Sequence, residues 1–183
     1  VKIGRLLFHD KILSANRNIA CATCHSHELG GSDGLSLGIG EGGAGIGLKR
    51  TAGIGDDKIK KRVPRNALAL WNLGFKDITT LLHDGRVTKS NIFGNGFNTP
   101  AQEALPKGLD NIVAVQALFP MTRQFEMAGN PGENEIIGLV SKVGKDSMRI
   151  DRVWPVITHR IRGIPEYVAV SYTHLRAHET RNY

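Results

Sequence analysis

Cys21-Ala22-Thr23-Cys24-His25 is the stretch on which the reading of this chain turns. It contains both cysteines of the 183-residue sequence. Two thiols at this spacing can each form a thioether with a vinyl group of a haem. The histidine that follows is then placed to ligate the iron from one face. Other readings of a C-x-x-C pair need neighbours that the sequence does not supply. A thioredoxin-type redox pair sits in a βαβ setting, and nothing around position 21 alternates as a strand would. A zinc site needs two more ligands at useful spacing. His25 and His27 are close by, but there is no second cysteine pair. A chance match in a cytosolic protein is the remaining alternative to covalent haem.

Working outward, the composition is that of a globular chain. It is 40% hydrophobic and 22% charged, long enough for one sizeable domain. No apolar run approaches the ~20 residues of a membrane-spanning helix. The net charge is +7, spread along the chain. The densest basic run is Lys58-Ile59-Lys60-Lys61-Arg62 followed by Arg65. It reads first as a solvated loop, and second as a docking face for an acidic electron donor or for haem propionates. No aromatic-interleaved basic motif is present, so nucleic acid is not an expected partner.

Helical periodicity places Ile3, Leu6 and Leu7 on one face of a helix over residues 2–9, ended by Asp10 and the Ser14-Ala15-Asn16 stretch. Residues 18–25 are expected to form the short helix that carries the cysteines. Residues 30–55 hold half of the 22 glycines and read as a loop. The segment Ala67–Phe75 follows, then a short helix near Asp77–His83 and a loop to Pro106. Further helices are expected at Asn111–Phe119, Glu133–Lys145 (Ile136, Leu139, Val140 and Val143 on one face) and Asp151–Arg162, with Pro155 tolerated only near a first turn. The expectation is an all-α, cytochrome c-like domain in which long loops wrap a cofactor. The loop sequence Gly38-Ile39-Gly40-Glu41-Gly42-Gly43 matches G-x-G-x-x-G formally. No strand precedes it and no helix opens from it, so close backbone approach is the better reading than a dinucleotide site.

The chain opens Val1-Lys2 without an initiator Met, as a fragment or a processed chain would. Val170-Ser171-Tyr172-Thr173-His174-Leu175-Arg176-Ala177-His178-Glu179-Thr180 resembles the translation of a sequencing adapter. Two segments are therefore expected: a haem domain over 1–169, lacking a second haem domain, and a non-native tail over 170–183. On this reading Tyr172, His174 and His178 are set aside as ligands.

Several stretches together resemble the di-haem cytochrome c peroxidase family, which includes MauG-type enzymes. They are Ile3-Gly4-Arg5-Leu6-Leu7-Phe8-His9-Asp10, the cysteine motif, Gly30-Gly31-Ser32-Asp33-Gly34-Leu35, Arg65-Asn66-Ala67, Asp84-Gly85-Arg86, and Gln116-Ala117 through Glu126-Met127. The resemblance implies that Cys21 and Cys24 bind haem c, with His25 as its proximal ligand. It implies that Glu126 is the acid–base carboxylate and Gln116 the amide that orients peroxide. It gives Asn66 as a calcium ligand. The implied activity is reduction of hydrogen peroxide to water. Electrons would come from a small donor protein, a cytochrome c or a cupredoxin, through a second haem c. A periplasmic location is implied, and a homodimer is allowed.

Three departures stand out. Classical members carry a second axial histidine sixteen residues after the proximal one, where this chain has Glu41 on the distal face. The tryptophan of the family's Phe-Trp-Asp-Gly-Arg segment is His83 here. And no second C-x-x-C-H is present. The first departure predicts a haem whose second face is open from the start. Met121, Met127, His9, His27 and His83 are the other candidates for a sixth ligand. Two rival functions stay in view: MauG-like oxidation of a protein or organic substrate, and a non-catalytic mono-haem electron carrier.

Overall fold

A computed structural model describes residues 2–140 and 150–171. Helix α1 (Lys2–His9) forms where Ile3, Leu6 and Leu7 recur at helical spacing. It stops at Asp10, whose backbone is extended and whose Oδ1 accepts the Ile12 N–H at 2.9 Å. That bond caps a 3₁₀ turn over Lys11–Leu13. The buried Ser14 hydroxyl donates to Lys11 O and accepts from the Asn18 and Ile19 N–H groups. It thereby satisfies the loop that leads into α2 (Cys21–Cys24). Ala20 has no side-chain cap to offer, but Thr23 Oγ1 accepts the Ala20 N–H at 3.1 Å, half of a capping box.

Residues 30–75 contain only short 3₁₀ turns at Gly47–Lys49 and Gly55–Asp57 and two isolated bridges, Ser32 with Ser26 and Ala44 with Thr51. The all-α expectation fails directly afterwards. Strands β1 (Thr80–Leu81), β2 (Val87–Lys89) and β3 (Phe97–Asn98) form a three-stranded antiparallel sheet in the order β1-β2-β3. Leu81 lies opposite Val87, and Lys89 opposite Phe97. The helix expected near Asp77–His83 is instead a turn running into β1. The physical reason is local. Ile78-Thr79-Thr80 is β-branched, and such residues fit a pleated surface better than a helix. Gly85, at φ +65°, then supplies the reversal, braced by Thr88 Oγ1 on Gly85 O and by the Asp84–Arg86 ion pair. Leu81, Val87 and Phe97 all point inward.

Helix α3 (Ile112–Gln116) starts at Asn111, whose Oδ1 accepts the Ala114 N–H at 2.9 Å. It is shorter than expected. Pro120 cannot continue it, and the chain turns through Ala117–Phe119 into a 3₁₀ turn, Pro120–Thr122. Helix α4 (Glu135–Val140) is capped by Asn134. The remainder of the helix expected to Lys145, with Val143, lies outside the described residues. Helix α5 (Val153–Arg162) carries Pro155 in its first turn, where a missing N–H costs nothing. Helix α6 (Pro165–Ser171) includes Val170 and Ser171 of the expected tail; residues 172–183 lie outside the described set.

The sheet, α3, α4 and α5 share one core in which Val87, Val115, Ile136 and Val153 are fully buried. Trp154 closes it, edge-to-face on Phe119 with its Nε1 donating to Leu118 O at 2.8 Å. Arg160 ties α5 to the N-terminal loop through Ser14 O and Ala15 O, and to α4 through Glu135. Among the described residues no helix is long and apolar enough to cross a membrane.

Candidate functional site

One turn of helix puts Cys21 and Cys24 on the same face, both half-buried and both free thiols. Burial pushes both thiols up, Cys24 to about 11 even though the Arg50 charge opposes the shift. A protonated thiol is a poor redox nucleophile, so the thioredoxin reading loses further ground.

His25 follows at once. Its Nδ1 lies 2.9 Å from Gly31 O. A carbonyl oxygen can only accept, so Nδ1 carries the hydrogen and Nε2 keeps its lone pair, the tautomer an axial iron ligand requires. Gly31 makes this contact at φ +75°, and a Cβ there would come within 2.8 Å of the Leu70 backbone nitrogen. The 65–75 segment therefore passes directly over the motif, and Trp71 meets His27 edge-to-face. Leu48, Leu68, Leu70 and Trp71 present exposed apolar surface in this region. Two sulfurs on one face, the required imidazole tautomer and an apolar surround suit a covalently bound haem.

Glu126 sits in a π-helical turn, Gln124–Ala128, a local distortion that recurs at functional sites. The stretch Ile39–Glu41 joins this turn to the cysteine helix. The Glu41 N–H donates to Glu126 O at 3.0 Å. A Cβ on Gly40 would lie 1.8 Å from Phe125 O, so only glycine permits the approach. On the other side Cys24 Sγ contacts Ile39 O at 3.8 Å. The buried Arg50 holds the stretch with Nε on Ile39 O (2.7 Å), Nη2 on Gly40 O (2.6 Å) and Nη1 on Gly45 O (2.7 Å). Burial pushes the Glu126 carboxyl up, while the Arg123 and Arg86 guanidiniums pull against it. The Asp84-Gly85-Arg86 turn thus faces the same site.

Other expected residues fall unevenly. Gln116 ends α3 with its Oε1 buried and lacking a hydrogen-bond partner. Among the described residues no hydrogen bond joins it to Glu126. Glu41 lies beside Glu126 along the backbone, but its own carboxylate points over Gly129. Asn66 is exposed, and its Oδ1 accepts from Ser32 Oγ at 2.7 Å. Among the described residues no group of three or more Asp, Glu, His or Cys side chains could hold a metal ion. Met121 and Met127 are buried; His9, His27 and His83 are exposed, with His83 Nδ1 3.2 Å from Arg65 Nη2. The basic run at 58–62 is largely exposed.

Sequence reasoning missed Arg50. No motif spacing marks it, and its one signal is a cation closing a glycine-rich loop. It also missed the role of Asn16 and Glu133 around Glu41, which are distant in sequence.

A sequence model described as di-haem cytochrome c peroxidase matches residues 1–174. Over 44 residues the chain is 50% identical to the cytochrome c peroxidase Ccp of Escherichia coli (strain K12), covering 24% of this chain and 10% of that protein. Over 42 residues it is 48% identical to the methylamine utilization protein MauG of Methylorubrum extorquens (strain AM1), covering 23% and 12% respectively. The aligned stretches span no more than 12% of the length of either curated relative.

Proposed function

The chain belongs to the di-haem cytochrome c peroxidase family, and we propose that residues 1–169 form the peroxide-reducing haem domain of a periplasmic enzyme. Electrons would reach it from a small donor protein, a c-type cytochrome or a cupredoxin, through a second haem c elsewhere in a longer protein. The observation that carries this reading is the Ile39–Glu41 stretch, packed between the cysteine helix on one side and the Glu126 turn on the other.

Cys21 and Cys24 would hold the haem by thioethers and His25 Nε2 would ligate its iron. Once bound, the haem would supply a redox-active iron for the reduction of peroxide. The chain's own groups do the proton work. Glu126, half-buried in its π turn, takes a proton from one peroxide oxygen and returns it to the other, so that the departing oxygen leaves as water. The Arg123 and Arg86 charges oppose the rise that burial imposes on that carboxyl. Gln116 Oε1, buried without a partner, is free to accept a hydrogen bond from the peroxide.

Glu41 stands where classical members have the second axial histidine. With its carboxylate turned over Gly129, the oxidised protein is expected to be five-coordinate and high-spin, needing no reductive activation. An optical or EPR spectrum tests this, and a purely low-spin bis-histidine signature would sink it. Glu126→Gln in the haem-loaded enzyme is expected to cut peroxide turnover by about 10²–10⁴-fold while haem attachment survives. Unchanged turnover would remove Glu126 from the mechanism. The near-equal match to MauG favours a second reading, oxidation of a protein or organic substrate; absence of turnover with peroxide and a reduced donor cytochrome would select it. A Met-ligated six-coordinate iron would select an electron carrier.

A further inference from the structure

Arg50 and Asp33 are charged side chains buried beside the cysteine helix, and the chemistry proposed above gives neither of them a task. Arg50 is 7% exposed and Asp33 is fully buried. Arg50 and Cys24 meet on one atom. Arg50 Nε donates to Ile39 O at 2.7 Å, and Cys24 Sγ contacts the same oxygen at 3.8 Å. Nη1 and Nη2 donate to Gly45 O and Gly40 O. Room for the guanidinium is built into the loop: a Cβ on Gly43 would lie 2.9 Å from Nη2. Two backbone hydrogen bonds between Ala44 and Thr51 hold the residue next to Arg50 in place.

Asp33 reaches the same neighbourhood along another path. The N–H of Ser26, the residue after His25, donates to Ser32 O at 2.9 Å, which ties the segment carrying Asp33 to the end of the cysteine motif. Asp33 Oδ1 accepts the Leu35 N–H at 3.0 Å. Its Oδ2 is buried without a hydrogen-bond partner. That oxygen lies 3.3 Å from where a Cβ on Gly38 would be, one residue before Ile39. Among the described residues Arg50 rests on neutral carbonyls and Asp33 on a neutral N–H, so neither charge is cancelled by direct contact with an opposite one.

We propose that Arg50 and Asp33 are two fixed charges that set the reduction potential of the haem carried by Cys24, with Arg50 raising it and Asp33 lowering it. The inference rests on the haem reading, and it holds for the peroxidase, the MauG-like enzyme and the electron carrier alike. Reduction adds one electron to the haem. A positive charge nearby favours the form that has gained it, and a negative charge opposes that form. At an effective dielectric of about 20, a unit charge ~10 Å away changes such an equilibrium by on the order of tenfold.

The electrostatics agree with this placement. The charges of Arg50, Asp33 and, less strongly, Glu126 all act on the Cys24 sulfur, with Arg50 opposed to the two acids. Burial works against the Arg50 charge, while Cys24 and Asp33 support it. A haem with too high a potential stays reduced and passes electrons on slowly. One with too low a potential cannot accept them from a donor protein. Opposed charges, each held by the fold, place the haem between these limits.

The test is a potentiometric titration of the haem-loaded protein at neutral pH, read from the haem absorption bands with no peroxide present. At the wild-type midpoint, the ratio of reduced to oxidised haem is expected to fall about tenfold in Arg50→Met and to rise about tenfold in Asp33→Asn. For a one-electron couple each change is a shift of about 59 mV. Asn at position 33 keeps the oxygen that accepts the Leu35 N–H, so that variant removes charge and little else. Arg50→Met/Asp33→Asn should return close to the wild type. Arg50→Lys, which keeps the charge and loses the fork of hydrogen bonds, should stay close to it as well. Loosened packing would move both single variants the same way, whereas opposite shifts that cancel are particular to charge. Shifts of one sign, no shift, or an Arg50→Lys shift as large as that of Arg50→Met overturns the proposal. If Arg50→Met fails to fold, Asp33→Asn decides alone: a ratio that does not rise overturns the proposal. A wild-type protein that attaches no haem would overturn the haem reading itself, and the potential with it, an outcome distinct from any of these shifts.

Discussion

Residues 78–168 and residues 20–75 bury their apolar side chains in opposite ways. The first region turns Leu81, Val87, Phe97, Ile112, Val115, Val153 and Ile157 inward, and among its described residues the large exposed apolar side chains are only Ile92 and Val168. In the second, the buried apolar residues are Ala20 and Ile39, while Leu37, Ile46, Leu48, Ile54, Leu68, Leu70, Trp71 and Phe75 are exposed. Exposing so many large apolar side chains forgoes roughly 1.5–3 kcal/mol each. The first region is a protein core of the ordinary kind. On the haem reading proposed above, the second would pack on a flat apolar group held by its own two cysteines and one histidine.

The strongest way to break this comparison is to prevent attachment. In the double variant Cys21→Ala/Cys24→Ala, hydrogen exchange over 20–75 is expected to lose nearly all protection, while the amides of the sheet, α3 and α5 stay protected. Equal protection of both regions would show that 20–75 folds on its own contacts, and the haem-centred account of this region would fail.

Trp154→Ala attacks the other side. It removes a buried indole, its hydrogen bond to Leu118 O and its edge contact with Phe119. A loss of about 3–5 kcal/mol in chemical denaturation is expected, with haem attachment retained. Loss of attachment in this variant would mean that the two regions fold as one cooperative unit.

Gly40→Ala acts at the seam. Its Cβ would overlap Phe125 O, a backbone atom that cannot swing aside as a side chain can. The expected cost is about 1–3 kcal/mol. More telling is the accompanying change: the Glu41–Glu126 backbone bond opens, and peroxide turnover falls while the cysteines still attach haem. Normal turnover would show that this contact does not position Glu126.

The two regions also differ in how far they could be read from sequence. The candidate haem-attachment residues stand out because thioether chemistry demands two thiols and an imidazole at fixed spacing, and Cys21, Cys24 and His25 satisfy that locally. Helices α1 and α5 were legible from 3.6-residue periodicity. The sheet was not, because strands of two or three residues are too short to display alternation, and Asp77–His83 was read as helical. Arg50 and the Asn16–Glu41–Glu133 cluster were illegible for another reason. They depend on contacts between residues up to 117 apart in sequence, such as Asn16 with Glu133, and no local pattern announces them.

The smallest effect concerns pH, and it isolates Glu41, whose backbone forms part of the seam. Folding raises the Glu41 carboxyl from 4.5 to about 7, chiefly through burial. Between those values the folded chain holds a proton that the unfolded chain has released, so stability falls as pH rises through this window. Glu41 therefore contributes fully below its ordinary carboxylate range and loses that contribution as pH passes about 7. Glutamine has no such titration. Relative to Glu41→Gln, the wild type is expected to be about equally stable at pH 4 and less stable by about 1–2 kcal/mol at pH 8. Urea denaturation of both haem-loaded proteins across that range measures the difference directly. A difference that stays flat with pH would mean that Glu41 is ionised in the folded protein at neutrality, with Asn16 alone sufficient to hold its charge beside Glu133. The seam between the regions would then carry a fixed negative charge instead of an exchangeable proton.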